Sequence, residues 1–174
     1  LFKKTKCKFM KRYFMDLAID DVSLKELRSM VENFFIKKEK KCFATVGPEF
    51  IIKAWEEPIF RSILQQFDFL VCDGVGLKIL GGFKNKITGF DFVNILFSYS
   101  AKNNKNIYLV GGEQEIMNKA ADKIKKDFAG IHIVGHSVAQ NFEDQHNRAG
   151  LVYQDVFKNK KLIEDINTTG AEIL

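Results

Sequence analysis

One carboxylate in this sequence stands where open α/β sheets bind ligands and carry out chemistry. Asp73 follows the apolar run 67–72 and precedes the turn Gly74-Val75-Gly76. Because a carboxylate at the end of a buried strand is held rigidly, Asp73 could act as a general base. It could equally cap a helix that begins near Val75, a contact worth about 1 kcal/mol. The residues alone support both interpretations.

Glycines and small polar residues follow other apolar runs in the same way. Gly111-Gly112 lies between a predicted strand and a predicted helix, where backbone N–H groups and the positive helix end could bind a phosphate. A Gly-Gly pair can also simply make a tight turn, so this motif is weak. If the strands are parallel, such residues gather at one edge of the sheet. They are Thr45, Gly47, Asp73, Gly74, Gly76, Gly111, Gly112 and His136.

The sequence lacks the common signatures of several enzyme classes. It contains neither the G-x-G-x-x-G dinucleotide fingerprint nor the G-x-x-x-x-G-K-[ST] phosphate loop, and it has no G-x-S-x-G nucleophile elbow. Its cysteines are odd in number, far apart and never in a C-x-x-C pair. This argues against a disulfide framework or a zinc knuckle, favours a reducing cytoplasm, and predicts no metal site. The cysteines are Cys7, Cys42 and Cys72.

Length and composition indicate one folded domain. Of the 174 residues, 46% are hydrophobic and 17 are Phe, which is enough apolar material for a core and excludes the disordered and fibrous classes. No apolar run reaches the roughly 18 residues of a spanning helix. Most aromatic residues are Phe within apolar runs, which favours a core role over base stacking. We therefore expect no nucleic-acid partner.

The net charge of +5 comes from the start of the chain. The first 15 residues include six basic and no acidic side chains, so the rest carries a net charge of −1. We predict a basic tail at residues 1–12 and a single α/β domain at 13–174. Such a tail can attract anionic lipid, although most short charge runs are simply solvated. The six are Lys3, Lys4, Lys6, Lys8, Lys11 and Arg12.

Short apolar runs alternate with longer amphipathic stretches, a pattern typical of parallel strands covered by helices. It predicts an α/β fold with a Rossmann-like, mostly parallel sheet and helices on both faces. A first strand is predicted at 13–19, followed by a helix that Ser23 and Glu26 begin with capping-box spacing. The next predicted elements are buried strands at 42–46 and 67–72 and helices that begin at Pro48 and Pro58.

The second half of the chain predicts a strand–helix–strand unit. A strand at 106–110 ends in Gly111-Gly112, a helix covers 113–128, and another strand covers 131–134. Before this unit, Thr88-Gly89 leads into a helix that is apolar on most sides, which predicts a buried element.

Two further elements are predicted near the end of the chain. Residues 144–167 have a helical pattern with polar breaks. Residues 171–174 look like the first half of another strand, and no turn or helix follows them. We expect that the sequence is cut short there; a short edge strand at a true C-terminus is the alternative.

Several short blocks resemble, in order and spacing, the WecG/TagA/CpsF glycosyltransferases of bacterial cell-surface polymer synthesis. No single block is specific, but together they cover roughly residues 13–174. The blocks are Thr45-Val46-Gly47-Pro48-Glu49-Phe50, Asp73-Gly74-Val75-Gly76, Leu80-Gly81-Gly82, Thr88-Gly89-Phe90-Asp91, Tyr108-Leu109-Val110-Gly111-Gly112 and Ile131-His132-Ile133-Val134-Gly135.

This resemblance implies an inverting enzyme that moves an N-acetylmannosamine-type sugar from a UDP donor to a polyprenyl-diphosphate-linked sugar acceptor. It implies a role in cell-surface polysaccharide or teichoic acid synthesis, without a metal or other cofactor. It also implies a cytoplasmic protein, peripheral on the inner face of the bacterial membrane. We expect the chain to form homo-oligomers.

The resemblance also implies roles for particular residues. Asp73 matches the base proposed for the family and Thr45 matches a pocket threonine, and the resemblance therefore predicts both as catalytic residues. The family's Asn is replaced by Gly47, which removes a side-chain amide. Its Arg is replaced by Lys86, which carries charge but no bidentate fork. The implied substrate-binding residues are Gly47, Gly74, Gly76, Lys86, Thr88, Gly111 and Gly112.

These departures leave a second hypothesis open. In the family, a further block follows, a strand with Gly, Pro, Lys and Gln after it, and we expect that this part of the active site lies beyond Leu174. The chain could therefore be a catalytically inactive α/β module that binds a nucleotide sugar or a protein partner.

Overall fold

The computed structural model describes residues 10–138 and 160–174. The chain divides into two compact units, Leu1–Val93 and Asn94–Leu174. The described part of each unit contains its own sheet, with four strands in the first and two in the second. The predicted α/β fold with mostly parallel strands is confirmed.

The sheet of the first unit has the strand order β1-β2-β4-β3. Strands β2, β3 and β4 are parallel, and only β1 is antiparallel to its neighbour. The carboxyl ends of three strands therefore point the same way, as the sequence predicts. The strands are β1 (Met10–Phe14), β2 (Leu17–Asp21), β3 (Phe43–Val46) and β4 (Phe69–Cys72).

The single first strand predicted at 13–19 is wrong, because that segment forms a hairpin. Met15 and Asp16 both have positive φ, at 45° and 64°, and they separate β1 from β2. A type I′ turn, whose twist matches that of the antiparallel strands on either side, requires positive φ at both of its central residues. Neither residue is the glycine that usually reveals such a turn in a sequence, so the pattern looked continuous.

Five helices begin in the described part of the first unit, and their first residues follow local rules. Ser23 accepts a hydrogen bond from the Glu26 N–H while the Glu26 carboxylate accepts from the Ser23 N–H, which confirms the predicted capping box. Pro48 and Pro58 each occupy a first helical position, also as predicted. The helices are α1 (Leu24–Ile36), α2 (Pro48–Glu56), α3 (Pro58–Leu64), α4 (Val75–Leu80) and α5 (Gly89–Asn103).

The core of the first unit is built on its two central strands. All four residues of β4 are buried, and Leu17 and Ile19 of β2 are fully buried. Phe43 stacks on Phe69 with ring centroids 4.7 Å apart. Burying each such side chain contributes roughly 1.5–3 kcal/mol. This packing makes β4 rigid, and Asp73 is the first residue after this strand.

Two residues of the predicted basic tail lie in the sheet. Lys11 in β1 pairs with Asp20 at 3.1 Å, and Arg12 pairs with Asp21 at 3.2 Å. Both carboxylate side chains are 1% exposed. These two cations therefore compensate buried charges. The remaining basic residues of the predicted tail lie outside the described residues.

The second unit contains the predicted strand–helix–strand arrangement. Strands β5 and β6 are parallel, with α6 between them in the chain. Ile173 forms a parallel bridge with Ile107, so the strand predicted at 171–174 is present as a single bridge. Part of the predicted helix 144–167 forms α7, and its residues 144–159 lie outside the described residues. The elements are β5 (Asn106–Val110), α6 (Gln114–Asp127), β6 (His132–Ser137) and α7 (Lys160–Thr168).

Candidate functional site

The carboxyl ends of β3 and β4 lie side by side and lead into the candidate site. Val46 pairs with Cys72, and beyond this pair the Asp73 N–H donates to the Val46 carbonyl at 2.9 Å. Thr45, Gly47 and Asp73 therefore leave the sheet at the same edge, as the parallel arrangement predicts.

The Asp73 carboxylate contacts the start of α5. Its Oδ2 accepts a hydrogen bond from the Gly89 N–H at 3.2 Å. The helix α4 is capped by Gly74 without any side-chain hydrogen bond, so the interpretation of Asp73 as the cap of that helix is wrong. The carboxylate lies instead at the N-terminus of α5, where the partial positive charge of the helix attracts an anion.

Thr88 and Asp91 form a capping box that fixes the first turn of α5. The Thr88 hydroxyl donates to the Asp91 Oδ2 at 2.6 Å, the Thr88 N–H donates to the same oxygen at 3.0 Å, and the Asp91 N–H donates to the Thr88 hydroxyl at 3.1 Å. The bonds from the Thr88 hydroxyl and N–H lower the pKa of Asp91. The box orients the neighbouring Gly89 N–H toward Asp73.

Thr45 completes the cluster around Asp73. A Cβ on Gly89 would lie 3.4 Å from the Thr45 Oγ1, so the hydroxyl sits against the first residue of α5. Both Thr45 and Asp73 are partly exposed and can be reached from solvent. The structure thus places the two residues predicted as catalytic beside the same backbone position.

The glycines after β4 lie against the start of α2. Gly74 has a φ of +83°, a conformation that side chains rarely adopt, and a Cβ there would lie 3.7 Å from the Pro48 Cδ. A Cβ on Gly76 would lie 3.5 Å from the Pro48 Cγ. Both predicted substrate-binding glycines therefore belong to the same edge as Asp73.

The Glu49 side chain folds over Gly47, which caps α2 without a side-chain hydrogen bond. A Cβ on Gly47 would lie 2.5 Å from the Glu49 Oε1. A side chain at position 47 would thus have to displace this carboxylate. Sequence reasoning missed Glu49, although its place in the first turn after Gly47-Pro48 was a signal.

Lys86 lies in the loop that joins α4 to α5. The side chain is exposed, and the next residue, Ile87, donates its N–H to the Cys72 carbonyl at 2.9 Å. The Lys86 charge also helps to lower the pKa of Asp91. A flexible cation is therefore carried by a backbone segment that is attached to the end of β4.

The Cys72 thiol is not a candidate nucleophile. Burial, with the negative charges of Asp21 and Asp73, raises its pKa to about 11. Because the thiolate is the reactive form, this cysteine stays protonated and inert near neutral pH.

The Gly111-Gly112 turn belongs to the second unit, and one of its backbone N–H groups takes part in pairing the strands. The Gly111 N–H donates to the Ser137 carbonyl of β6 at 3.0 Å. The following helix is capped by Glu113 and carries Glu115 in its first turn, both exposed. A phosphate at Gly111 would have to replace a bond between strands and approach two carboxylates. His136 lies within β6, where it pairs with Leu109.

Residues 12–174 match the model of the Glycosyl transferase WecG/TagA/CpsF family. The chain belongs to this family. It is 27% identical over 123 residues to an N-acetylglucosaminyldiphosphoundecaprenol N-acetyl-beta-D-mannosaminyltransferase of Bacillus spizizenii, a match that covers 67% of this chain and 48% of the relative. A protein of the same name from Bacillus subtilis is 24% identical over 111 residues, covering 61% of this chain and 43% of the relative. The chain spans about half the length of these curated relatives.

Membership of the WecG/TagA/CpsF family allows the geometry at Gly47 to be compared with the residue that the resemblance implies there. The resemblance implies an Asn at this position, and here the Glu49 carboxylate fills that space.

Within residues 10–138 and 160–174, no helix has the length and apolar character to cross a membrane. Across the same part of the chain, no three His, Cys, Asp or Glu side chains group as metal ligands would.

Proposed function

We propose that this chain is an N-acetylmannosaminyltransferase, or the part of one that holds its base. The proposal is that the sugar moves from a UDP donor to a polyprenyl-diphosphate-linked sugar, with inversion and without a metal. The observation that carries it is the Asp73 carboxylate, held by the Gly89 N–H beside Thr45 at the sheet edge in a chain of this family. Both Bacillus relatives are named as transferases of this kind.

In the proposed reaction Asp73 is the general base. It accepts the proton of the acceptor hydroxyl while that oxygen attacks the anomeric carbon of the donor. The bond between that carbon and the UDP oxygen breaks, and its electron pair leaves with the diphosphate. The hydrogen bond from Gly89 orients the carboxylate before the proton arrives, so little reorganisation is needed during the step.

The leaving diphosphate needs compensation of its developing charge. In the proposal this comes from Lys86 and the positive end of α5, which Thr88 caps. Thr45 offers a hydroxyl to the donor sugar, and Gly47, Gly74 and Gly76 allow close approach of the substrate to the backbone. Roles for Gly111 and Gly112 stay predictions, because these glycines belong to the other unit.

We also propose that the reaction takes place at the inner membrane surface, as part of cell-surface polysaccharide or teichoic acid synthesis. A lipid-linked acceptor requires a membrane surface. Exposed apolar side chains beside Asp73 support it, since Val75 is 58% and Phe90 76% exposed. Such surfaces also support self-association, so we keep the homo-oligomer as part of the proposal.

One observation favours the second candidate, an inactive module that binds a nucleotide sugar or a protein. The Glu49 carboxylate occupies the space beside Gly47, and a negative charge there opposes an anionic donor. Gly47→Asn would displace this side chain. If the chain is a working enzyme, the substitution lowers the donor KM or leaves it unchanged; an inactive parent that gains transfer with Asn would establish the module.

The test of the proposed function is transfer by the full-length protein in the presence of a chelator. UDP-N-acetylmannosamine and an N-acetylglucosaminyl diphosphate carrying a short prenyl chain are the substrates. The anomeric configuration of the product is read by NMR. We expect transfer with inversion and saturable UDP binding by calorimetry. Binding of UDP without any transfer would contradict the enzyme and support the module.

A further inference from the structure

A buried carboxylate, Asp21 at the end of β2, lies outside the cluster around Asp73. Its side chain is 1% exposed. It accepts four hydrogen bonds, one from the sheet and three from the loop between α4 and α5. The donors are Arg12 Nε at 3.2 Å, Lys84 N at 2.9 Å, Asn85 N at 2.9 Å and Asn85 Nδ2 at 3.0 Å.

These bonds fix the loop immediately before Lys86. The loop is held a second time just after Lys86, where the Ile87 N–H donates to the Cys72 carbonyl. Phe83 and Ile87 are 4% and 1% exposed, so the loop is also held by packing at both ends. Lys86 is thus an exposed cation on a backbone attached to β2 on one side and to β4 on the other.

We propose that Asp21 is a positioning residue of the nucleotide-sugar site, which holds the loop so that Lys86 keeps its place near the end of β4 and the first turn of α5 keeps its place beside Asp73. This inference rests on the proposed function. Asp21 touches neither substrate nor the reacting atoms. It acts through the Lys84 and Asn85 backbone, which leads directly to Lys86.

An ionised carboxylate suits this role because both of its oxygens only accept hydrogen bonds. Burial raises the pKa of Asp21, but the N–H groups of Lys84 and Asn85, the Asn85 amide and Arg12 outweigh it and lower the pKa overall. An Asn in its place would turn one amide N–H₂ toward backbone N–H donors. The loop would then lose at least one bond, while the volume of the side chain would stay the same.

The neighbouring Asp20 provides a matched control. It is also buried, at 2% exposed, and it also pairs with a cation of β1, Lys11. Its other bond comes from the Leu70 N–H of β4. Asp20 therefore holds strands together, whereas Asp21 holds the loop. Asp20→Asn should disturb the sheet without moving Lys86.

The first test is hydrogen exchange of the full-length protein, followed in peptides that cover residues 84–89. We expect Asp21→Asn to speed exchange there about tenfold or more, and Asp20→Asn to leave these peptides unchanged. If Asp21→Asn fails to fold, Asn85→Ala removes one of the four bonds and should speed exchange by a smaller factor. Unchanged exchange in the folded variants would overturn the proposal.

The second test is a double-mutant cycle with Lys86→Ala, read as the KM for UDP-N-acetylmannosamine. Alone, Asp21→Asn should raise this KM about tenfold; in the Lys86→Ala background it should raise it less than about twofold. Asp20→Asn should be additive with Lys86→Ala. Additivity for Asp21 would reject the positioning role. If the wild-type protein transfers no sugar, the proposed function fails, and the exchange experiment still decides whether Asp21 holds the loop.

Discussion

Among the described turns that follow a parallel strand, contain glycine and lead into a helix, those after β4 and after β5 use their polar groups in opposite ways. After β4, the Asp73 carboxylate receives an N–H from the start of α5, a segment 16 residues away. After β5, the Gly111 N–H is used by the Ser137 carbonyl of β6, and the helix opens on Glu113. The first turn gathers side chains from separate segments, and the second completes a sheet.

This difference shows which further groups a glycine-containing turn needs before it can form a binding or catalytic site. Glycine after a strand permits close approach of a ligand, but only side chains that converge from other segments supply a base or a cation. Thr45, Asp73 and the capped start of α5 converge at the first turn. At the second, two side chains at the helix start, Glu113 and Glu115, are acidic, and a negative charge does not favour a phosphate.

The largest expected effect comes from removing the carboxylate of the first turn. Asp73→Asn should lower kcat by about 100-fold or more, since general-base catalysis typically contributes that much. The Asn oxygen can still accept the Gly89 N–H, so the free energy of unfolding should change little. Transfer kinetics and urea unfolding measure the two quantities.

The matching change at the second turn is Glu113→Gln, which also removes a charge after a strand. It should leave kcat unchanged. An equal loss of kcat in both variants would mean that the two turns do not differ in function and that Asp73 is not specifically the base.

A substitution in the second turn should lower the free energy of unfolding. Gly111 has a φ of +138° and an empty space where a Cβ would lie, so Gly111→Ala adds backbone strain without a collision. We expect unfolding to become easier by about 1–3 kcal/mol, with the UDP affinity of the folded protein unchanged. A clear loss of UDP affinity in calorimetry would instead support the phosphate-binding role predicted for this turn.

The capping boxes allow a comparison within the first unit. Thr88→Ala and Ser23→Ala should each lower the free energy of unfolding by about 1 kcal/mol, because each removes a cap hydroxyl. Only Thr88→Ala should also lower kcat, since its box orients the Gly89 N–H on Asp73. If both variants lose stability equally and both keep full kcat, the start of α5 has no part in orienting the base.

The smallest effect is a pH dependence that both boxes share. Hydrogen bonds lower the pKa of Asp91 and of Glu26 below their usual values of 3.8 and 4.5. Their contributions to stability are therefore present above those values and are lost as the pH falls through the lowered pKa of the folded protein. In urea unfolding, Asp91→Asn and Glu26→Gln should each destabilise the protein at pH 7, and each difference from wild type should shrink as the pH falls below the usual pKa of the carboxyl group. A difference that grows toward acid pH would contradict this sign.

Much of the fold was predictable because its signals are local. Ser23 with Glu26, the two prolines at helix starts and the strand–helix–strand unit were all predicted correctly. The hairpin at Met15-Asp16 was missed, because its turn uses positive φ without glycine. The predicted sheet edge brought Thr45 and Asp73 together correctly, since parallel strands place their carboxyl ends on one side.

The sequence alone was enough to predict the class of fold, the place of Asp73 at the end of a buried strand and the family pattern around it. Those features depend on hydrophobic periodicity, helix caps and the order of the family's sequence blocks, all of which can be recognised without a structure. Three contacts could not be predicted from the sequence. The Asp73 carboxylate meets the start of α5, Glu49 fills the space beside Gly47, and Asp21 holds a loop 63 residues away. Contacts at such separations depend on how strands pair and helices pack, and no local propensity encodes them.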